Sequence, residues 1–168
     1  MSGFNTNVGS YEFNHTMIRV KDPEVSLRFY QDILGMKLIS SMENEGGKFT
    51  LYFLAYVNAE DKATLDAQSQ DERRAYAFSR PGVLELTHNW GTEKDADFSY
   101  ANGNNDPGRG FGHIAIIVDN LEEACNRFES FGDQVKWIKR PKDGKMSNIA
   151  FIADPDGYWI EVLKKSFA

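Results

Sequence analysis

From Asn14 to Val20 polar and apolar side chains alternate, the period-two pattern of a strand with one buried face. Asp22 and Pro23 then offer an N-cap and a first-turn proline to a helix that reaches Leu34, and Gly35 stops it. Residues 36–42 and 49–56 read as strands. Residues 58–80, rich in Asp, Glu, Gln and Ala, read as an exposed helix or loop inserted before a further strand at 83–89. A polar stretch dense in Gly, Asn and Asp covers 91–110, and then the order restarts. Residues 111–118 form a strand, and Asn120 with Glu123 three places on suggests a capping box at the start of a helix that ends at Gly132. Strands at 134–138, 147–153 and 158–163 follow, the last two joined by the turn Asp154-Pro155-Asp156-Gly157.

The recurrence is a duplication. Sliding the chain by 98 positions (113 − 15) lays His15, Ile18, Val20, Asp22, Ser26 and Tyr30 over His113, Ile116, Val118, Asn120, Ala124 and Phe128. Val83-Leu84-Glu85-Leu86 resembles Trp159-Ile160-Glu161-Val162, so Glu85 and Glu161 close equivalent halves. The His-to-Glu interval is 70 (85 − 15) in one half and 48 (161 − 113) in the other, and the excess matches the polar insertion. The expected fold is therefore α+β, two tandem βαβββ modules in one domain over residues 1–168. Module one covers about 13–90 with an insertion at about 57–80, a connector covers about 91–110, and module two covers about 111–163. A period this long excludes a solenoid.

Composition narrows the function without naming it. With 41% hydrophobic and 13% aromatic residues the chain is of globular type. Its net charge of −6, without a basic run, argues against a nucleic-acid partner. The first fourteen residues lack the apolar core of a signal peptide, nothing resembles a membrane anchor, and the expected location is the cytoplasm. Cys125, the single cysteine, lies in a helical apolar pattern and reads as a packing residue.

Strand parity collects the chemistry. His15, Met17 and Arg19 share one face, Glu85 shares its face with Val83, Thr87 and Asn89, and His88 points the other way and is excluded. His113 stands with Ala115 and Ile117, and Glu161 with Trp159 and Leu163. A lone strand glutamate or histidine is ordinarily a tolerated polar residue. Two of each at equivalent positions of a duplicated module point instead to a metal, because a buried carboxylate is costly without a cation or hydrogen bonds. Two nitrogens and two oxygens, with further positions open, suit zinc, nickel, cobalt or iron(II) acting as a Lewis acid.

Phe13-Asn14-His15-Thr16-Met17-Ile18-Arg19-Val20-Lys21-Asp22-Pro23, the run from Phe29 to Leu38, that from Leu84 to Glu93, that from Asn102 to His113, Asp143-Gly144-Lys145-Met146 and that from Asp154 to Glu161 occur in order along nearly the whole chain. Together they resemble the glyoxalase I (lactoylglutathione lyase) branch of the vicinal oxygen chelate superfamily, most closely the second half of the fused two-copy fungal enzymes. The resemblance implies a metal site in a cleft between modules, with His15 and Glu85 of one subunit meeting His113 and Glu161 of another in a homodimer. It implies that Arg19, Asn89, Arg109, Lys145 and Met146 line a glutathione site. The implied activity is metal-dependent isomerisation of the methylglyoxal–glutathione hemithioacetal to S-D-lactoylglutathione through an enediolate, a methylglyoxal detoxification. Glu161 is the implied base, and Glu85 the opposing acid–base group or a ligand only. His15 occurs in short nickel-preferring bacterial relatives that lack the insertion, whereas the insertion and the fungal likeness favour zinc. Zinc is thus the first choice, with nickel or cobalt as alternatives.

Two other readings share the fold. An iron(II) extradiol dioxygenase would carry a histidine where Glu85 stands. A small-ligand-binding or inactive relative would normally lose ligands, and all four are present.

Overall fold

The structure, a computed structural model, describes residues 8–143 and 147–165. Two four-stranded sheets have the same internal order, β1-β4-β3-β2 and β5-β8-β7-β6, so the repeat seen in the sequence is a repeat of topology. The strands are β1 (His15–Val20), β2 (Lys37–Asn44), β3 (Phe49–Ala55), β4 (Val83–Asn89), β5 (His113–Val118), β6 (Lys136–Lys139), β7 (Ile149–Ala153) and β8 (Trp159–Lys164). Both hairpins slip register at matching places, β2/β3 between Leu38 and Ser40 and β6/β7 between Trp137 and Lys139. The extra residue at each bulge bends and twists its strand. Among the described residues no helix is long and apolar enough to cross a membrane.

Among the described residues one compact unit comprises 8–19 and 35–90. Its sheet buries Leu54 and Leu86, while Ile39, Phe53, Ala55 and Val83 form a cluster with Leu65 and Ala77. The last two residues come from the insertion, which is helical and mostly exposed, as expected, yet sends one side chain from each helix into this cluster. Residues 58–80 are two helices, α2 (Ala59–Ala67) and α3 (Gln70–Phe78), and α3 packs on β2 and β3. Each helix commits a single buried side chain to the core, which is too little to create a 3.6-residue apolar period. Polar contacts add to the attachment. The Arg73 guanidinium donates to the Leu38 carbonyl at 3.1 Å and Arg80 to that of Tyr56 at 2.8 Å. Truncating Leu65 would cost about 2–5 kcal/mol, the range for a filled core site.

Among the described residues the other unit comprises 20–34, 91–143 and 147–165, and the first helix belongs to it. That helix, α1 (Pro23–Arg28), is capped as expected by Asp22, whose carboxylate accepts from the amides of Glu24 and Val25 at 2.9 and 3.3 Å. It continues as a π-helical turn over Phe29–Ile33 and stops at Gly35, whose φ of +76° is unfavourable for any residue with a Cβ. The fourth helix, α4 (Leu121–Glu129), lies on β7 and β8 and buries Leu121, Cys125 and Phe128. Asn120 caps it through the amides of Glu122 and Glu123, but the reciprocal bond of a capping box occurs elsewhere, between Ser69 and Glu72.

Residues 20–34 are tied to the Asp154 turn. The Tyr30 hydroxyl donates to Asp154 Oδ2 at 2.8 Å, and Asp154 Oδ1 accepts from the amides of Asp156 and Tyr158 at 3.0 and 2.8 Å. Asp156 in turn accepts from the Lys21 amide at 3.1 Å. Burial pushes the Asp154 carboxyl up to about 7, against the lowering effect of the Tyr30 hydrogen bond. The turn leads directly into β8.

Candidate metal half-sites

Each histidine meets its own glutamate. His15 Nε2 lies 3.3 Å from Glu85 Oε2, and His113 Nε2 lies 3.2 Å from Glu161 Oε2. In the second sheet the placement follows from register: β5 and β8 run parallel with His113 beside Trp159 and Ala115 beside Glu161, so the two side chains sit diagonally on one face. The glutamates are mostly buried, with 12% and 17% of their side-chain surface exposed, and the histidines less so, at 34% and 42%. As parity required, His88 is buried on the face of β4 away from Glu85.

Each pair fits a divalent ion. With ligand bonds of roughly 2.0–2.2 Å, two neighbouring donors on one ion stand roughly 3–3.5 Å apart. Both pairs have that spacing and both present the donor types that borderline metals take. Each supplies two ligands, however, and among the described residues no group of three or more His, Cys, Asp or Glu side chains converges.

A phenylalanine completes each pair. Phe53 stands opposite Glu85 across β3/β4, and Phe151 opposite Glu161 across β7/β8. The His15 ring meets Phe53 edge-on at 6.4 Å, and the His113 ring meets Phe151 at 5.5 Å. Such apolar walls lower the local polarity around the donors and strengthen charge interactions there. These phenylalanines were absent from the sequence-based set although they too are 98 positions apart (151 − 53), the same signal that paired the histidines.

Beyond that shared triad the halves differ. In the first, Asn14 Oδ1 lies 2.7 Å from His15 Nδ1, and the Asn14 amide group donates to the carbonyls of Ala77 and Arg80 at 3.0 and 2.7 Å. The Thr87 hydroxyl donates to Glu85 Oε1 at 3.2 Å, leaving Oε2 toward His15. Phe78 of α3 adds a second ring at 6.3 Å from His15. In the second half the positions corresponding to Asn14 and Thr87 are Gly112 and Leu163, which offer no such side-chain bonds.

The remaining sequence-predicted residues are dispersed. Arg19 is exposed on the His15 side of β1, and Asn89 is half-buried at the end of β4. Arg109, in the connector, is exposed and makes a two-pronged pair with Asp106, Nε to Oδ1 at 2.9 Å and Nη2 to Oδ2 at 3.1 Å. Lys145 and Met146 lie outside the described residues. The connector is anchored on its own unit: Lys21 Nζ donates to the Phe98 carbonyl at 2.8 Å, and Asn102 to that of Asp156 at 3.2 Å. Gly103, at φ +83°, comes so close to Phe111 that a Cβ would sit 2.3 Å from its carbonyl oxygen, so no side chain fits there.

The chain is similar to known proteins. The family model for the Glyoxalase/Bleomycin resistance protein/Dioxygenase superfamily matches residues 12–162. A lactoylglutathione lyase of Pseudomonas aeruginosa strain PAO1 is 53% identical over 156 residues, covering 93% of this chain and 84% of its own length. The lactoylglutathione lyase of Schizosaccharomyces pombe is 47% identical over 159 residues, 95% of this chain but 47% of the yeast protein. Among solved structures, the trypanothione-dependent glyoxalase I of Leishmania major superposes with a TM-score of 0.64 at 31% identity, covering 93% of this chain and 88% of that one.

Proposed function

Because this chain belongs to the Glyoxalase/Bleomycin resistance protein/Dioxygenase superfamily, we propose that its paired His–Glu half-sites are those of a working lactoylglutathione lyase. It is an enzyme of that type, a glyoxalase I of methylglyoxal detoxification. The observation that carries the site assignment is the pair of matched contacts, 3.3 Å for His15–Glu85 and 3.2 Å for His113–Glu161, at equivalent positions of the repeat.

His15 and Glu85 of one subunit and His113 and Glu161 of another supply the four protein ligands of one divalent ion, with zinc first and nickel or cobalt as alternatives. Two ligands per pair leave each pair incomplete by itself, and the likeness to glyoxalase I supports completion of the site in a homodimer. Met17 and Ile117, on the same strand faces as the two histidines, are 40% and 66% exposed and call for a cover. When bound, the ion acts as a Lewis acid that makes the carbon-bound proton of the hemithioacetal more acidic.

The chain's own groups do the rest. Glu161 takes the proton from the carbon that bears sulfur and hydroxyl and returns it to the adjacent carbonyl carbon. The hydroxyl proton passes from the oxygen of the first carbon to that of the second, the first carbon becomes the thioester and the second the carbinol, and the step is a redox-neutral isomerisation. Glu161 suits this task because, among the described residues, its carboxylate is held by no hydrogen bond other than its contact with His113. Glu85, fixed by Thr87, serves as a ligand. Arg19 and Arg109 pair with the carboxylates of glutathione and Asn89 with its amide groups, while Lys145 and Met146 complete that site. Arg109 must leave Asp106 to do so, an exchange of one exposed ion pair for another at small cost.

The test is turnover of preformed hemithioacetal after chelation and refilling with zinc or nickel in turn. Loss on chelation and recovery on refilling are expected. Metal-replete protein that forms no S-lactoylglutathione while binding another ligand tightly would make it a binding protein on the same fold.

A further inference from the structure

Asn14 sits where the insertion meets the first half-site, and its three hydrogen bonds can be read in one direction only. The carbonyls of Ala77 and Arg80 are acceptors, so the Asn14 atom facing them must be the amide nitrogen, which spends both its hydrogens there at 3.0 and 2.7 Å. That orientation turns Oδ1, an acceptor, toward His15 Nδ1 at 2.7 Å. Nδ1 must then carry the proton, and in a neutral ring Nε2 is left with its lone pair free, on the side where Glu85 Oε2 lies 3.3 Å away.

We propose that Asn14 is a positioning residue, which uses carbonyls at and just beyond the C-terminal end of α3 to set the His15 tautomer and ring orientation so that Nε2 is ready to bind metal. A helix end leaves its last carbonyls without intrahelical partners. Asn14 therefore gains rigidity from groups that need a donor anyway, and the insertion becomes part of the metal-binding apparatus rather than a surface addition. The second half has no counterpart: Gly112 precedes His113, and no helix lies between β7 and β8. This inference rests on His15 being a metal ligand, as argued above.

The experiment uses the full chain with histidine ring nitrogens labelled with 15N, at a pH where His15 is neutral, together with zinc affinity measured by competition against a chromogenic chelator. In metal-free wild type His15 should be protonated on Nδ1. Asn14→Ala should lose that preference and bind zinc about 10–100-fold more weakly, the usual effect of removing a partner behind a metal ligand. Asn14→Asp, which keeps the acceptor for Nδ1 but not the donors to α3, should hold the tautomer and most of the affinity while lowering the thermal midpoint. A wild-type His15 protonated on Nε2, which needs no variant to observe, overturns the proposal. So does Asn14→Ala with unchanged affinity. His15→Ala separates the two levels: if it too leaves zinc affinity unchanged, the ligand assignment fails; if it alone weakens binding, only the role of Asn14 fails.

Discussion

The first half-site holds its ligands from behind, and the second leaves them open. His15 and Glu85 each have a hydrogen-bonded neighbour, Asn14 and Thr87, and a second aromatic wall from Phe78. His113 and Glu161 contact each other and Phe151, and their side chains are somewhat more exposed. The two pairs have nearly the same His–Glu distance, so the geometry of the pair persisted through the duplication while its support diverged. A fixed pair is suited to keeping a metal, and an untethered carboxylate to carrying a proton between two carbons. On the proposed function, this difference suits two glutamates that symmetry makes equivalent to different work.

Exchanging the carboxylates should break or sustain this division most visibly. Glu161→Gln is expected to lower kcat by about 10³-fold or more at saturating metal, within the range for loss of a general base. Glu85→Gln should chiefly weaken zinc binding. If metal-saturated Glu85→Gln loses as much kcat as Glu161→Gln, the two carboxylates share the chemistry. Steady-state kinetics alongside metal titration decides this.

The second half is supported through its strand instead, by the buried Asp154 at the entrance to β8. Its carboxyl is pushed up to about 7 by burial, from an unfolded value near 3.8. The native state therefore keeps a proton that the unfolded chain releases between these values. The associated stability is fully present below about pH 4 and is lost as pH rises to about 7, by up to roughly 4 kcal/mol. Asp154→Asn should flatten this slope in chemical denaturation at pH 5 and pH 8. An unchanged slope would place the pH dependence elsewhere.

Smaller effects should follow from the partners of the first half. Thr87→Val is expected to weaken zinc binding by about 3–10-fold, below the effect at Asn14 because Glu85 retains other packing. Gly112→Asn, where a new Cβ meets nothing within 4 Å, should change zinc affinity by less than about twofold. An asparagine there has no helix end to anchor it. A substantial gain in affinity would show that the asparagine alone, without α3, suffices.

The duplicated modules, the four candidate ligands and the exclusion of His88 were legible in the sequence because they depend on local alternation and on equal spacing, which residue types report directly. The insertion was legible as an exposed helix or loop, but its attachment to the core was not, because Leu65 and Ala77 are the lone buried side chains of α2 and α3, a signal too sparse to announce a packed face. Phe53 and Phe151 were within reach of the same 98-residue shift that aligned the histidines. Asn14 was not, because its partners include backbone carbonyls 63 and 66 positions away, and any residue has a carbonyl.

By itself the sequence determined that two βαβββ units recur and which residues share a face with each histidine and each glutamate along its own strand, since a period of two settles parity within a strand without knowledge of neighbours. Only the tertiary structure decided that α1 joins the second unit through Tyr30 and Asp154, and that the insertion's end carbonyls orient Asn14 against His15. Those choices rest on contacts between distant segments, and on side-chain bonds to backbone that leave no mark in residue identity.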